Sequence, residues 1–289
     1  LYYGKSIVFS LIPLICVGVA FVVWRLYAAA LKRPWSGRNH ENPVTVKDRF
    51  VVSICIIIYC VYPTLVQNIF SIFNCLAVGA NGKVFLLADL EEQCFEGTHR
   101  IFMLAIGVPQ LLFSVVGLPA MGFYFLRRNK RAGKLRSPIV LMRYGLFVTG
   151  YRDERYGWEL MVVFRKVTVV GLSVFGGLLS PNVQALYVLL LIQICLVAEV
   201  VGAPYDIKGT RRMRHHILPW MEFATLMMLS LTIWAGLAMF SLEEDGGANQ
   251  VSRVFLTMIV LVGNCCYMTI LIMLLFRECL YEKREKKMF

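Results

Sequence analysis

The chain has 289 residues, of which 58% are hydrophobic and only 17% are charged, and its formal net charge is +12. Its mean hydropathy is +0.65. This composition is too apolar for a single soluble core, and the apolar residues fall in long runs. It indicates a multi-pass membrane protein and excludes an ordinary soluble globular domain.

Seven apolar runs follow one another along the chain, and most reach the about 20 residues that a bilayer-spanning helix needs. They cover residues 6–24, 51–73, 101–126, 160–179, 183–203, 217–242 and 254–276. The sequence therefore predicts an all-α fold in which residues 1–289 form one membrane domain, a bundle of seven transmembrane helices.

The connections between these runs alternate in charge. Lys and Arg are concentrated in 30–49, 127–143, 208–214 and the C-terminal tail, whereas the other connections carry acidic residues or no charge. Because Lys and Arg are retained on the cytoplasmic side, the alternation predicts an outside N-terminus and a cytoplasmic C-terminus. The positive net charge is then a signal of topology, and we expect no nucleic-acid partner. We also expect the chain to be the C-terminal part of a longer protein.

The connection at 74–100 is predicted to form a small outer cap. It contains the turn-forming string "GANGK", and short apolar runs that include Val84, Phe85 and Leu86 flank this turn, which favours a hairpin. Of the nine cysteines, only Cys75 and Cys94 fall outside the membrane on the extracytoplasmic side. Because that side is oxidising, the two are expected to form a disulfide, with a pair of free thiols as the alternative.

Charged residues within or beside three of the runs predict an ion-pair layer near the cytoplasmic face. The fourth run carries Glu159, Arg165 and Lys166, and the fifth and sixth runs place Glu199 and Glu222 at a similar depth. Each charge is costly in the membrane, and a partner of opposite sign reduces that cost. The alternative for the two bases is that their long side chains extend to the head groups without a partner.

The connection at 127–157 is strongly basic. Such a segment suits the negative inner leaflet, which predicts contact with anionic lipid head groups. The alternative is that these charges only fix the topology. The residues predicted to contact the lipid head groups are Arg127, Arg128, Lys130, Arg131, Lys134 and Arg136.

The uncharged amides within the runs are predicted to hydrogen-bond between helices. These are Gln67, Asn68, Gln110, Gln193 and Asn264. The sequence contains no selectivity-filter motif, nucleophile–base pattern, phosphate loop or metal-ligand spacing. We therefore expect no enzyme activity, no catalytic residues, no cofactor and no metal.

Five strings, taken in chain order, resemble a known family. They are "YPTLVQNIFSIFNC" at 62–75, "FLLADLEEQC" at 85–94, "GVPQLLF" at 107–113, "YGLFVTGYRDERYGWELMVVFRK" at 144–166 and "APYD" at 203–206. Together they are similar to the TRP-like, receptor-related multi-pass membrane domain that ends large surface proteins of algae, oomycetes and ciliates. The residues that match family positions are Cys75, Cys94, Asp89, Trp158, Glu159, Arg165 and Lys166.

The resemblance implies a membrane anchor that follows a long extracellular region. Such a domain would hold a cell-surface or flagellar-surface structure in the plasma or ciliary membrane and would relay force or signal. The implied partners are membrane lipids, extracellular filament or repeat proteins, and a channel.

Two other functions remain open from the sequence. A TRP-like ion channel subunit would need a re-entrant pore loop, and "SLEEDGGANQ" between the last two runs is too short for one. A seven-helix receptor fits the number of runs and their orientation. However, the chain lacks Asp-Arg-Tyr at the inner end of the third run and Asn-Pro-x-x-Tyr in the seventh, and Cys75 and Cys94 share a single connection.

Overall fold

The computed structural model describes residues 2–32, 34–37, 44–78, 83–205, 214–244 and 250–288. The described residues are predominantly helical. The helices are α1 Tyr2–Ala30, α2 Val46–Phe73, α3 Gly97–Arg131, α4 Pro138–Val148, α5 Glu159–Phe175, α6 Pro181–Gly202, α7 Arg214–Glu244 and α8 Gln250–Met288. Short 3-10 turns occupy Asp153–Arg155 and Gly176–Leu178.

Among these described helices, six are long and apolar enough to cross a membrane. They are α1, α2, α3, α6, and the segments Pro219–Ser241 of α7 and Val251–Leu274 of α8. The predicted multi-pass helical character is confirmed. The fourth predicted run, 160–179, is not among these six helices. Its helix α5 has only 17 residues, and the chain continues from it as the 3-10 turn at Gly176–Leu178.

The chain divides into two compact units. Unit 1 comprises Leu1–Thr149 and Asp153–Leu178, and unit 2 comprises Gly150–Arg152 and Leu179–Phe289. Each unit is described separately below.

In unit 1, α2 packs against α1 in the opposite direction. Trp24 Nε1 donates to Ser53 Oγ at 3.0 Å, and Asn68 Nδ2 donates to the Ser6 carbonyl oxygen at 3.3 Å. Thr45 caps the start of α2, because its side chain accepts from the Asp48 N–H while the Asp48 carboxylate accepts from the Thr45 N–H. This reciprocal capping box satisfies two backbone donors and fixes where α2 begins.

Two π-helical segments interrupt α3. They lie at Met103–Gly107 and Leu112–Gly117, just before Pro109 and Pro119. Proline has no N–H to donate, and its ring collides with the carbonyl one turn earlier. The helix widens in the turn before each proline, which lets it pass both without ending.

The predicted cap is a three-stranded antiparallel sheet at the C-terminal end of α2. Strands β1 Cys75–Ala77, β2 Val84–Leu86 and β3 Asp89–Gln93 pair in the order β1-β2-β3. The disulfide Cys75–Cys94 closes the cap, with a Cα–Cα distance of 6.3 Å, as predicted. The predicted turn falls partly on residues 79–82, which lie outside the described residues.

The cap ends earlier than predicted. Helix α3 begins at Gly97, four residues before the apolar run that starts at Ile101, because polar residues form its first turn. One of them, His99, turns inward and is fully buried. The apolar pattern alone could not place this boundary.

In unit 2, α6 and α7 enclose a small apolar core of Ile192, Leu196 and Leu226. Gln193 Nε2 on α6 donates to Ser230 Oγ on α7 at 2.7 Å. Helix α8 joins α7 through Asn264 Nδ2, which donates to Thr232 Oγ1 at 3.1 Å. In unit 1, Gln110 accepts from Ser10 Oγ at 3.0 Å, and Asn68 binds Ser6. Four of the five predicted amides therefore link two helices.

Candidate functional site

The two ends of unit 1 differ in chemistry. We call the end that carries strands β1–β3 the cap end, and the end where α3 reaches Arg127–Arg131 the basic end. Hydrogen bonds connect the cap to α1 and α5 at this end. Tyr3 Oη on α1 donates to Glu92 at 3.1 Å, and Asn74 Nδ2 donates to the Val174 carbonyl on α5 at 2.7 Å. These bonds join the sheet to the helices at their ends.

His99 links the start of α3 to the end of α2 by hydrogen bonds. The Phe95 N–H donates to His99 Nδ1 at 3.1 Å, so the ring proton lies on Nε2, which donates to the Ile72 carbonyl at 3.0 Å. The two bonds fix one tautomer of a neutral imidazole. The sulfurs of Cys75 and Cys94 lie within 4.8 Å of the ring, but in a disulfide they are not thiolate ligands. The arrangement is therefore a structural clamp.

The basic connection 127–157 is folded at the basic end. Leu126, Leu135 and Val148 form a buried cluster there, which brings the end of α3, the turn after it and α4 together. Tyr144, Phe147 and Tyr156 pack against this cluster. The connection is therefore a packed structure with an exposed basic surface.

A partly buried ion pair links α4 to α2. Arg143 Nε donates to Asp48 Oδ1 at 2.6 Å, and the Arg143 Nη2 atom also contacts this oxygen. The Asp48 side chain is 1% exposed, and it accepts from Thr45 Oγ1 at 2.8 Å as well as from the Thr45 N–H. This pair was not predicted from the sequence. The one available signal was the capping box Thr45-x-x-Asp48, which marks the start of α2 but does not identify Arg143 as a partner.

The six basic residues predicted to contact lipid head groups are all exposed. Two of them also make contacts within unit 1. Lys130 Nζ lies 4.3 Å from the centre of the Tyr156 ring, and Arg136 Nε forms an ion pair with Asp153 at 2.6 Å. Tyr156 in turn stacks on Phe123, with ring centres 5.8 Å apart and planes at 9°. The Lys130 ammonium therefore lies over the stacked rings of Tyr156 and Phe123 on one side of α3.

A cavity of about 100 Å³ lies between α2, α3, α4 and α5 within unit 1. Apolar side chains make most of its wall, together with the charged residues Glu159 and Lys166. The side chains that line it include Ile58, Tyr59, Tyr62, Leu118, Phe123, Leu126, Phe147, Leu160 and Val163.

The five residues of the predicted charge layer divide between the two units. In unit 1, Glu159 is 8% exposed, Arg165 is half-buried, and Lys166 Nζ lies 3.5 Å from the centre of the Tyr59 ring. This cation–π contact gives a half-buried ammonium a favourable partner. In unit 2, Glu199 is also 8% exposed, and Glu222 accepts a hydrogen bond from Tyr205 Oη. The pairing of these acids with Arg165 or Lys166 stays a prediction.

In unit 2, two of the strings that carry the family resemblance meet. Tyr151 pairs with Tyr205 in an isolated bridge, the Arg152 N–H donates to the Pro204 carbonyl at 2.8 Å, and Arg152 Nε donates to the Tyr205 carbonyl at 2.9 Å. Burial, and then the hydrogen bond to Glu222, raise the pKa of the Tyr205 hydroxyl. The hydroxyl donates its proton in the hydrogen bond to Glu222. Both strings stand out in the sequence, but their contact was not predicted from it.

Comparison with known proteins found similarity to part of a large protein. The chain is 22% identical over 213 residues to cysteine repeat modular protein A of Toxoplasma gondii, a match that covers 70% of this chain. No protein-family model matches the chain, and no solved structure matches it. The match spans only 6% of the length of the Toxoplasma protein, so nearly all of that relative lies outside the similarity.

Proposed function

We propose that this chain is the membrane anchor of a large surface protein, with its N-terminus outside and its C-terminus in the cytoplasm of a plasma or ciliary membrane. The observation that carries the proposal is the architecture of unit 1. A disulfide-closed cap sits on one end of apolar helices, and exposed basic residues occupy the other end. Such polarity suits a domain that faces the oxidising exterior at the cap and the anionic inner leaflet at the basic end.

The packing of α5 supports seven crossings. Beside α2, Lys166 of α5 lies against Tyr59, and Phe175 lies against Phe70 with ring centres 5.4 Å apart. The two helices therefore run in the same direction, and α5 reaches the cap, where Asn74 binds the Val174 carbonyl. With the 3-10 turn that follows, α5 rises about 31 Å, close to the about 30 Å of a hydrocarbon core.

The relative supports attachment to a larger protein. Its name describes cysteine repeats, and the similarity to this chain occupies a small part of its length. By analogy, we propose that a long extracellular region with repeats precedes this chain. Its partners would then be extracellular filament or repeat proteins and a channel, to which the membrane unit relays force or signal.

The proposed anchor is tested by following both termini in cells. A secreted fluorescent reporter is fused before Leu1 and an epitope tag after Phe289, with the reporter alone as the secreted control. We expect the fusion to remain in the membrane pellet at alkaline pH. Protease added to intact cells should remove the reporter and leave the epitope. A protected reporter, a cleaved epitope or extraction at alkaline pH would contradict the proposal.

A second experiment separates the anchor from an ion channel. Reconstituted into planar bilayers, the chain alone should carry no selective current, because its last connection is too short for a pore loop. A selective current that Glu199→Gln or Glu222→Gln abolishes would favour the channel.

A further inference from the structure

The cavity of unit 1 suits a hydrocarbon occupant. Its volume is about 100 Å³, whereas one water molecule needs roughly 10–15 Å³. Water enters a cavity only where several polar groups can bind it, and cavities with apolar walls stay dry. Because aliphatic and aromatic side chains form most of this wall, a lipid acyl chain is a better occupant than water.

Positively charged side chains lie next to the cavity. Phe123 belongs to the cavity wall, Tyr156 stacks on Phe123, and Lys130 Nζ lies over Tyr156. Leu126, also in the wall, is followed directly by the exposed Arg127 and Arg128. An acyl-chain cavity and a cluster of cations thus adjoin along one stretch of α3.

We propose that unit 1 binds one anionic glycerophospholipid. Its acyl chain fills the cavity, and its phosphate-bearing head group lies against Arg127, Arg128 and Lys130. The complementary charge selects an anionic lipid over a zwitterionic one. This site rests on the proposed function, because it needs the basic end of α3 to stand in a bilayer.

The test places the full chain in lipid nanodiscs that contain a phosphatidylserine probe with a photoreactive group on its acyl chain. Parallel nanodiscs contain phosphatidylcholine with the same chain. After illumination, labelled peptides are mapped by mass spectrometry. We expect phosphatidylserine to label segments 58–62, 118–126 and 157–166 more strongly than phosphatidylcholine does.

A variant that fills the cavity tests the acyl-chain site. A Cβ atom placed at Gly122, in the cavity wall, meets no heavy atom within 4 Å, so Gly122→Leu can begin a side chain there without a clash at Cβ. Gly18→Leu on α1 is the matched control, since a Cβ there also meets nothing within 4 Å. We expect Gly122→Leu, but not Gly18→Leu, to lower phosphatidylserine labelling of the cavity segments.

Neutralising the cations tests the head-group site. Each of Arg127→Gln, Arg128→Gln and Lys130→Gln should lower the preference for phosphatidylserine by about fivefold, whereas Lys5→Gln at the cap end should not. Phosphatidylcholine labelling of the lipid-facing side of α1 reports membrane insertion separately. If α1 is labelled but the cavity segments show no phosphatidylserine preference, or Gly122→Leu leaves that labelling unchanged, the lipid site is wrong. If neither probe labels α1, the anchor and the lipid site are both wrong.

Discussion

The ion pair between Asp48 and Arg143 offers the sharpest test of how unit 1 is held together. Asp48→Ala removes the carboxylate that caps the start of α2, a loss of about 1 kcal/mol. It also leaves the Arg143 guanidinium without its carboxylate, which costs about 3–5 kcal/mol for a fully buried pair. The Arg143 side chain is 26% exposed and can reach water in part, so the second cost is lower here. We expect unfolding to become easier by roughly 2–4 kcal/mol in total.

The assay is an unfolding titration of the purified chain with a denaturing detergent, followed by tryptophan fluorescence. Lys47→Ala is the matched control, because Lys47 is the exposed neighbour of Asp48 in the first turn of α2. Arg143→Met and the double variant complete a thermodynamic cycle. Arg143→Met removes the guanidinium that Asp48→Ala leaves without its carboxylate. The double variant should therefore lose about 1–3 kcal/mol less stability than the sum of the two single losses. Additive effects, or an Asp48→Ala variant as stable as Lys47→Ala, would refute the role given to this pair.

Three further predictions concern other contacts. Cys75→Ser should lower stability by about 3 kcal/mol, because the disulfide spans a sequence separation of 19 residues, and a reducing agent should shift the wild-type unfolding midpoint but not that of the variant. Asn68→Leu should lower the free energy of unfolding in the detergent titration by about 1 kcal/mol, because Asn68 binds Ser6 on α1. Gln67→Leu is the control and should lower it less, because Gln67 is exposed. Equal losses would contradict the hydrogen bonds to Ser6. Tyr205→Phe should destabilise unit 2 by about 1–3 kcal/mol, measured by hydrogen exchange of α7, because it removes the donor to Glu222; exchange as slow as in the wild type would contradict this bond.

The sequence predicted features that depend on local composition. Apolar runs mark helices because a membrane requires a long stretch of uncharged side chains, and six of the seven runs lie in helices of sufficient length. The disulfide followed from the position of Cys75 and Cys94 in one connection. Amides such as Asn68 and Gln193 bind across helices, because an apolar surrounding offers them few other partners.

Features that depend on contacts between distant residues could not be predicted. Asp48 and Arg143 are 95 residues apart, and in the sequence Arg143 reads only as one more cytoplasmic charge. The bridge between Tyr151 and Tyr205 is likewise set by folding rather than by any local pattern. The cavity exists because residues of four helices leave a space between them, which no periodicity reports.

The most direct test of the anchor is the path of α5 through the membrane. Asp153→Cys and Ser180→Cys place thiols just before and just after the segment that would cross, in a chain whose cysteines other than Cys75 and Cys94 are replaced. A membrane-impermeant maleimide added to intact cells should label Ser180→Cys, and it should reach Asp153→Cys only after the membrane is permeabilised. Equal labelling of both positions in intact cells would contradict the seven-crossing anchor.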